Sequence, residues 1–66
     1  MEFNVKVMRG NDDVQVITRG IHTVDPDAKV DIDIDARTVK VDSWLLAEEF
    51  LVAFNEDGYE VRITKG

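Results

Sequence analysis

The chain has no cysteine, one proline, one histidine, one tryptophan and one tyrosine among its 66 residues. Without sulfhydryls there is no disulfide to staple the fold and no thiolate to hold a zinc or copper ion. Cations are also scarce: eight Lys and Arg face fourteen Asp and Glu, for a net charge of −6. That balance repels the phosphates of nucleic acid and the headgroups of anionic membranes, so neither is an expected partner. No apolar stretch approaches the roughly 20 residues of a membrane span, and no basic n-region precedes an apolar run. A soluble, cytoplasmic and bacterial protein is the expectation. At this length the chain forms one domain, residues 1–66, and buries only roughly 60% of its unfolded surface.

What is present is alternation. Val30, Ile32 and Ile34 alternate with Asp31, Asp33 and Asp35, and after Ala36-Arg37 the pattern resumes with Val39 and Val41 against Thr38, Lys40 and Asp42. A period of two in β-branched residues makes one face apolar and one wet, which predicts an antiparallel hairpin over 29–42. Glu2 to Met8 reads as a first strand, with Phe3, Val5 and Val7 on its apolar side. Arg9-Gly10-Asn11-Asp12-Asp13 breaks the pattern with turn and capping residues.

The segment after this break is locally ambiguous. Val14 to Thr18 is β-branched enough for a strand, and Gly20 weakens a helix by about 1 kcal/mol relative to Ala. Val14, Ile17, Ile21 and Val24 nevertheless recur at helical offsets, so the spacing predicts a helix starting near Asp12 and ended by Asp25-Pro26-Asp27. A second helix is expected from a cap at Asp42 or Ser43 to about Glu56, with Gly58 as its left-handed stop. Its expected core stripe is Leu46, Phe50, Ala53 and Phe54, with Trp44, Leu45, Leu51 and Val52 off that stripe. Tyr59, Val61 and Ile63 alternate with Glu60, Arg62 and Thr64 in a fourth strand. The order βαββαβ predicts an α+β, ferredoxin-like sandwich: a four-stranded antiparallel sheet with two helices on one face.

With that order in place, the chain resembles the heavy-metal-associated domain of copper chaperones and of the N-terminal arms of metal-transporting P-type ATPases. The residues carrying the resemblance are Asp25 to Ile34 for the helix-to-strand passage, Thr38-Val39-Lys40-Val41 for the next strand, and Ala53-Phe54 with Gly58-Tyr59-Glu60-Val61 for the family's A-I-x-x-A-G-Y-x-V ending. The resemblance implies a strand order of 4-1-3-2, docking through the loop after the first strand, and a Tyr59 that covers this loop. The family's metal motif, M-x-C-x-x-C, aligns with Met8-Arg9-Gly10-Asn11-Asp12-Asp13. Met8 matches, but Gly10 and Asp13 stand where the cysteines belong. Thiolates are what grip a soft ion such as Cu(I), so metal transfer of that kind is not carried over.

Other candidates are weighed by their chemistry. Asp12 and Asp13, with Asn11, offer two or three oxygens where a hard cation wants roughly six, and acids at a helix start already complement its dipole. Asp31, Asp33, Asp35 and Asp42 fall at calcium-loop spacings, but Ala36 replaces the required glycine and the interleaved isoleucines demand a strand. These aspartates read instead as a wet sheet face, partly neutralised by Lys40 and Lys6. His22 is a lone imidazole on the first helix, and Met8 reads as a core filler. No nucleophile–base set exists, so no enzyme and no cofactor are expected. Trp44 and Leu51, seven apart with Glu48 between them, read as one helical face that either extends the edge of the core in a monomer or forms a contact surface for weak homodimerisation. The expected function is a cysteine-less protein-interaction module using Arg9, Asn11, Asp12, Tyr59, Trp44 and Leu51, with a metal transporter or a homologue as partner. The second reading is a metal-transport accessory protein with Asp12, Asp13, His22 or Met8 as ligands.

Overall fold

A computed structural model describes all residues, 1–66. In chain order the elements are β1 (Glu2–Val5), α1 (Asn11–Val24), β2 (Lys29–Asp33), β3 (Thr38–Asp42), α2 (Ala47–Glu56) and β4 (Val61–Lys65). The strands form one sheet in the order β2-β3-β1-β4, with every neighbouring pair antiparallel. This is the expected 4-1-3-2 order read from the opposite edge.

Alternation along the strands decides the layers. Phe3 and Val5 of β1 and Val39 and Val41 of β3 are buried, and over them pack Ile17 and Ile21 from α1 and Ala47, Phe50 and Phe54 from α2. Phe3 is the hub, meeting the Phe50 ring edge-on at 6.4 Å and the Phe54 ring at 5.2 Å. Side chains of this size contribute roughly 1.5–3 kcal/mol each when fully buried, which makes this aromatic cluster the main stabilising unit of so small a domain.

Three local expectations are corrected. β1 ends at Val5 rather than Met8, because its last ladder bonds run from Val5 N–H to Arg37 O and from Lys6 N–H to Glu60 O. Past that point the chain leaves the sheet, so Met8 turns into the core and Val7 is 51% exposed. α2 starts at Ala47 rather than beside Ser43, since the Ser43 hydroxyl is engaged with Asp25 and with Leu45 N–H. The Glu49 carboxylate accepts Leu46 N–H at 3.0 Å and closes the helix start from within. The later start moves the buried face to Ala47, Phe50 and Phe54. It leaves Leu46 exposed and takes Trp44 off the helix altogether, so Trp44 shares no helical face with Leu51, which is half-buried against the core. Lys6 pairs with Glu60 at 3.2 Å rather than with the sheet aspartates, while Asp31 does lie opposite Lys40.

The C-terminus of α2 behaves as its sequence requires. Gly58 adopts φ 87°, its N–H bonds Asn55 O, and Tyr59 N–H bonds Phe54 O, a pair that closes the helix end. The Ile34–Arg37 turn of the hairpin places Arg37 at φ 55°, the single non-glycine residue in the left-handed region, held by Arg37 N–H to Ile34 O at 3.1 Å.

Candidate functional site

The registers Asn4 to Thr38 and Val5 to Val61 bring three connections to one end of the sheet: the segment 6–10, the hairpin turn 34–37 and the turn 58–60. α1 begins at this same end, so its free N–H groups and positive dipole point into the cluster. The Arg37 guanidinium reaches across to Lys6 O at 3.2 Å and ties the hairpin turn to the loop.

Within the loop, the two positions aligned with the cysteines differ in character. Gly10 precedes α1 with extended backbone, φ 174°, and a Cβ built there meets nothing within 4 Å. Neither backbone nor space demands glycine. Asp13, on the first turn of α1, is fully engaged: Oδ2 accepts Arg9 N–H at 2.7 Å and Oδ1 accepts the Tyr59 hydroxyl at 2.6 Å. The Tyr59 bond, followed by the Arg9 N–H, holds the Asp13 carboxyl below its usual range, because both donors favour the charged form and outweigh partial burial. Burial, and then the adjoining Asp13 carboxylate, push the Tyr59 phenol up to about 12.

Met8 is buried in the core cluster, so its thioether is packing and not a free ligand at the surface. Arg9, Asn11 and Asp12 are exposed around the loop, and Tyr59 lies half-buried across it. His22 is not among them. It sits near the C-terminus of α1, ten residues beyond Asp12 and so about 15 Å away along the axis, where Nε2 donates to Ala28 O at 3.0 Å. Asp12, Asp13 and His22 therefore do not converge, and no three His, Asp or Glu side chains are grouped to hold a metal ion. The donors at the loop are carboxylate and phenol oxygens, which do not fit a soft monovalent ion as cargo.

At the opposite end lies a polar network that sequence reasoning missed. Asp25, only 5% exposed, accepts the Ser43 hydroxyl at 2.6 Å and Asp27 N–H at 3.0 Å, and Ser43 in turn accepts Leu45 N–H at 3.2 Å. A Ser eighteen residues from an Asp leaves no local signal of such a bond. Trp44 belongs to this end, so the six residues expected to form contact surfaces divide: Arg9, Asn11, Asp12 and Tyr59 at the loop end, Trp44 at the far end, Leu51 against the core.

No family model matches the sequence, and no curated protein matches it. Solved structures do match. The copper chaperone Atx1 of Synechocystis PCC6803 in a trimeric form superposes with a TM-score of 0.89 at 24% identity, covering 94% of this chain and 98% of that one. A gold-binding protein superposes with a TM-score of 0.88 at 29% identity, covering 94% and 95%. A second form of the Synechocystis chaperone gives a TM-score of 0.88 at 22% identity, over 94% and 98%. The structural neighbours are thus copper-chaperone-like proteins of the heavy-metal-associated fold, and the present chain is a version of that fold without cysteine.

Proposed function

We propose that this chain acts as a small protein-interaction module, docking a partner through the loop end formed by Arg9, Asn11, Asp12 and Tyr59. The observation that supports the reading is the Asp13 carboxylate. It occupies the position aligned with the second cysteine, and both of its oxygens are bonded inside the protein. An ion entering there must displace two short hydrogen bonds and gains only hard oxygen donors in return. The loop is held from within, while Arg9, Asn11 and Asp12 face outward on it. A surface fixed before binding loses little conformational entropy on docking. In this reading the protein is not an enzyme, works in the cytoplasm, and has as partner a soluble domain of a metal transporter or a homologue of itself.

The test is an isotope-edited NMR titration with two arms. Addition of Cu(I), Zn(II), Ni(II) or Ca(II) is expected to leave residues 8 to 22 without saturable shifts; saturation there replaces docking with ion binding. Addition of the soluble N-terminal domain of a metal-transporting P-type ATPase is expected to shift Arg9, Asn11, Asp12 and Tyr59. Silence at those four positions defeats the docking reading.

A further inference from the structure

The most anomalous side chain lies at the end away from the loop. Trp44 is 85% exposed and Leu46, two residues on, is 69% exposed, in a domain whose other rings pack into or against one core. Such residues normally pack into a core, and a Trp left almost wholly in water is a recurrent anchor of protein interfaces.

The segment that presents it is held rather than loose. Ser43, immediately before Trp44, bonds the buried Asp25 carboxylate at 2.6 Å and accepts Leu45 N–H, immediately after it. Leu46 N–H is bonded to Glu49. Both flanks of Trp44 are thus pinned, one of them to a carboxylate out of water, and the indole projects from a preorganised turn.

Charge decides what it can meet. The same Asp25 carboxylate that bonds Ser43 also bonds Asp27 N–H, which places exposed Asp27 beside this turn. Exposed Asp42 precedes the turn by two residues, and exposed Glu48 and Glu49 follow it in the first turn of α2. Lys29 stands opposite Asp42 on the neighbouring strand and the N-terminal ammonium binds Val41 O, yet the single ion pair of the molecule, Lys6 with Glu60, lies at the other end. None of these four carboxylates is ion-paired. An acidic rim around an apolar anchor, on a chain of net charge −6, repels a second copy and an anionic membrane alike, and complements a basic protein segment.

We propose that Trp44 and Leu46 form a second docking surface, for a cationic protein segment that carries an apolar face: the indole and the leucine seat against that face, and Asp27, Asp42, Glu48 and Glu49 meet its Lys or Arg side chains. The surface is separate from the loop end and stands whether or not the loop end docks.

Trp44 is the only tryptophan, so its emission reports this site alone. The probe is an amphipathic helical peptide of Leu and Lys, with the same peptide carrying Glu in place of Lys as control. Saturable blue-shifted Trp44 emission with the Lys peptide, weakened by salt and absent with the Glu peptide, is the expected result. By anisotropy of the labelled Lys peptide, Trp44→Ala and Leu46→Ala are expected to weaken binding at least about tenfold, whereas Arg9→Ala and Asp12→Asn leave it within about twofold. Unchanged emission, equal affinity of Trp44→Ala, or loss of binding with the loop-end variants overturns the proposal. So does a concentration-dependent emission shift of the protein alone, which assigns the surface to a second copy, or a shift on phosphatidylserine vesicles, which assigns it to lipid. The loop-end reading is judged separately by its NMR titrations.

Discussion

The Tyr59 hydroxyl donates a 2.6 Å hydrogen bond to Oδ1 of Asp13, joining the turn after α2 to the first turn of α1 across 46 residues of sequence. The same carboxylate takes Arg9 N–H on its other oxygen, so one side chain closes the loop on two sides. In the heavy-metal-associated family this loop carries cysteine ligands; here its internal link is a carboxylate and a phenol.

The link has a defined pH range. Asp13 titrates below its ordinary 3.8, so its contribution is fully present above that value and is lost as pH falls through the lowered one. Tyr59 moves from 10.0 to about 12, so the contribution of the neutral phenol is present below 10 and is lost as pH rises through about 12. Absorbance titration of the single tyrosine is expected to show ionisation near 12, falling toward 10 in Asp13→Asn. An Asp13→Asn protein whose phenol titrates where the parent's does would mean that the two residues are not coupled. Burial is the larger cause of the shift, so the fall is partial.

Placing sulfur at the loop is expected to create a site for a soft ion. Gly10 has open space for a Cβ and precedes α1 three residues before Asp13, the spacing of the two cysteines in M-x-C-x-x-C. The double variant Gly10→Cys with Asp13→Cys is expected to take up one Cu(I) against a competing chelator while the parent takes none. A folded double variant that leaves the chelator's copper untouched would break the equivalence between this loop and the metal loop of the family.

Asp25 anchors the far end. Asp25→Ala leaves the Ser43 hydroxyl and Asp27 N–H without their acceptor and is expected to lower stability by about 1–3 kcal/mol in urea unfolding, with Ser43→Ala losing about 1 kcal/mol. Both variants should also lower the steady-state anisotropy of Trp44 as the turn loosens. A stability change under about 0.3 kcal/mol in Asp25→Ala would show that the buried carboxylate is not structural.

Gly20 is the one glycine inside a helix, and a Cβ there would stand 2.7 Å from Asp57 Oδ2. Asp57 is exposed and its carboxylate makes no hydrogen bond or ion pair, so it can rotate away. Gly20→Ala is therefore expected to raise stability by up to about 1 kcal/mol through helix propensity. Loss of stability that Asp57→Ser rescues would place the clash above the propensity gain.

Much of this was legible in local pattern. The alternation of Val30, Ile32, Val39 and Val41 specified the hairpin, the recurrence of Ile17 and Ile21 specified α1, and Gly58 marked the end of α2. The start of α2 was not legible, because Ser43 looks like a cap until Asp25, eighteen residues earlier, takes its hydroxyl. Trp44 and Leu51 look like one helical face only while that start is misplaced.

The sequence by itself determined the order of elements, the two-faced sheet, the negative charge and the absence of any thiolate ligand, since these depend on residue type and on spacing within one element. Tertiary structure alone decided that Asp13 meets Tyr59, that Asp25 takes the Ser43 hydroxyl, and that Trp44 faces water. Each of those outcomes depends on which distant chain ends the sheet registers bring together, and hydrogen bonds between side chains far apart in sequence leave no period to read.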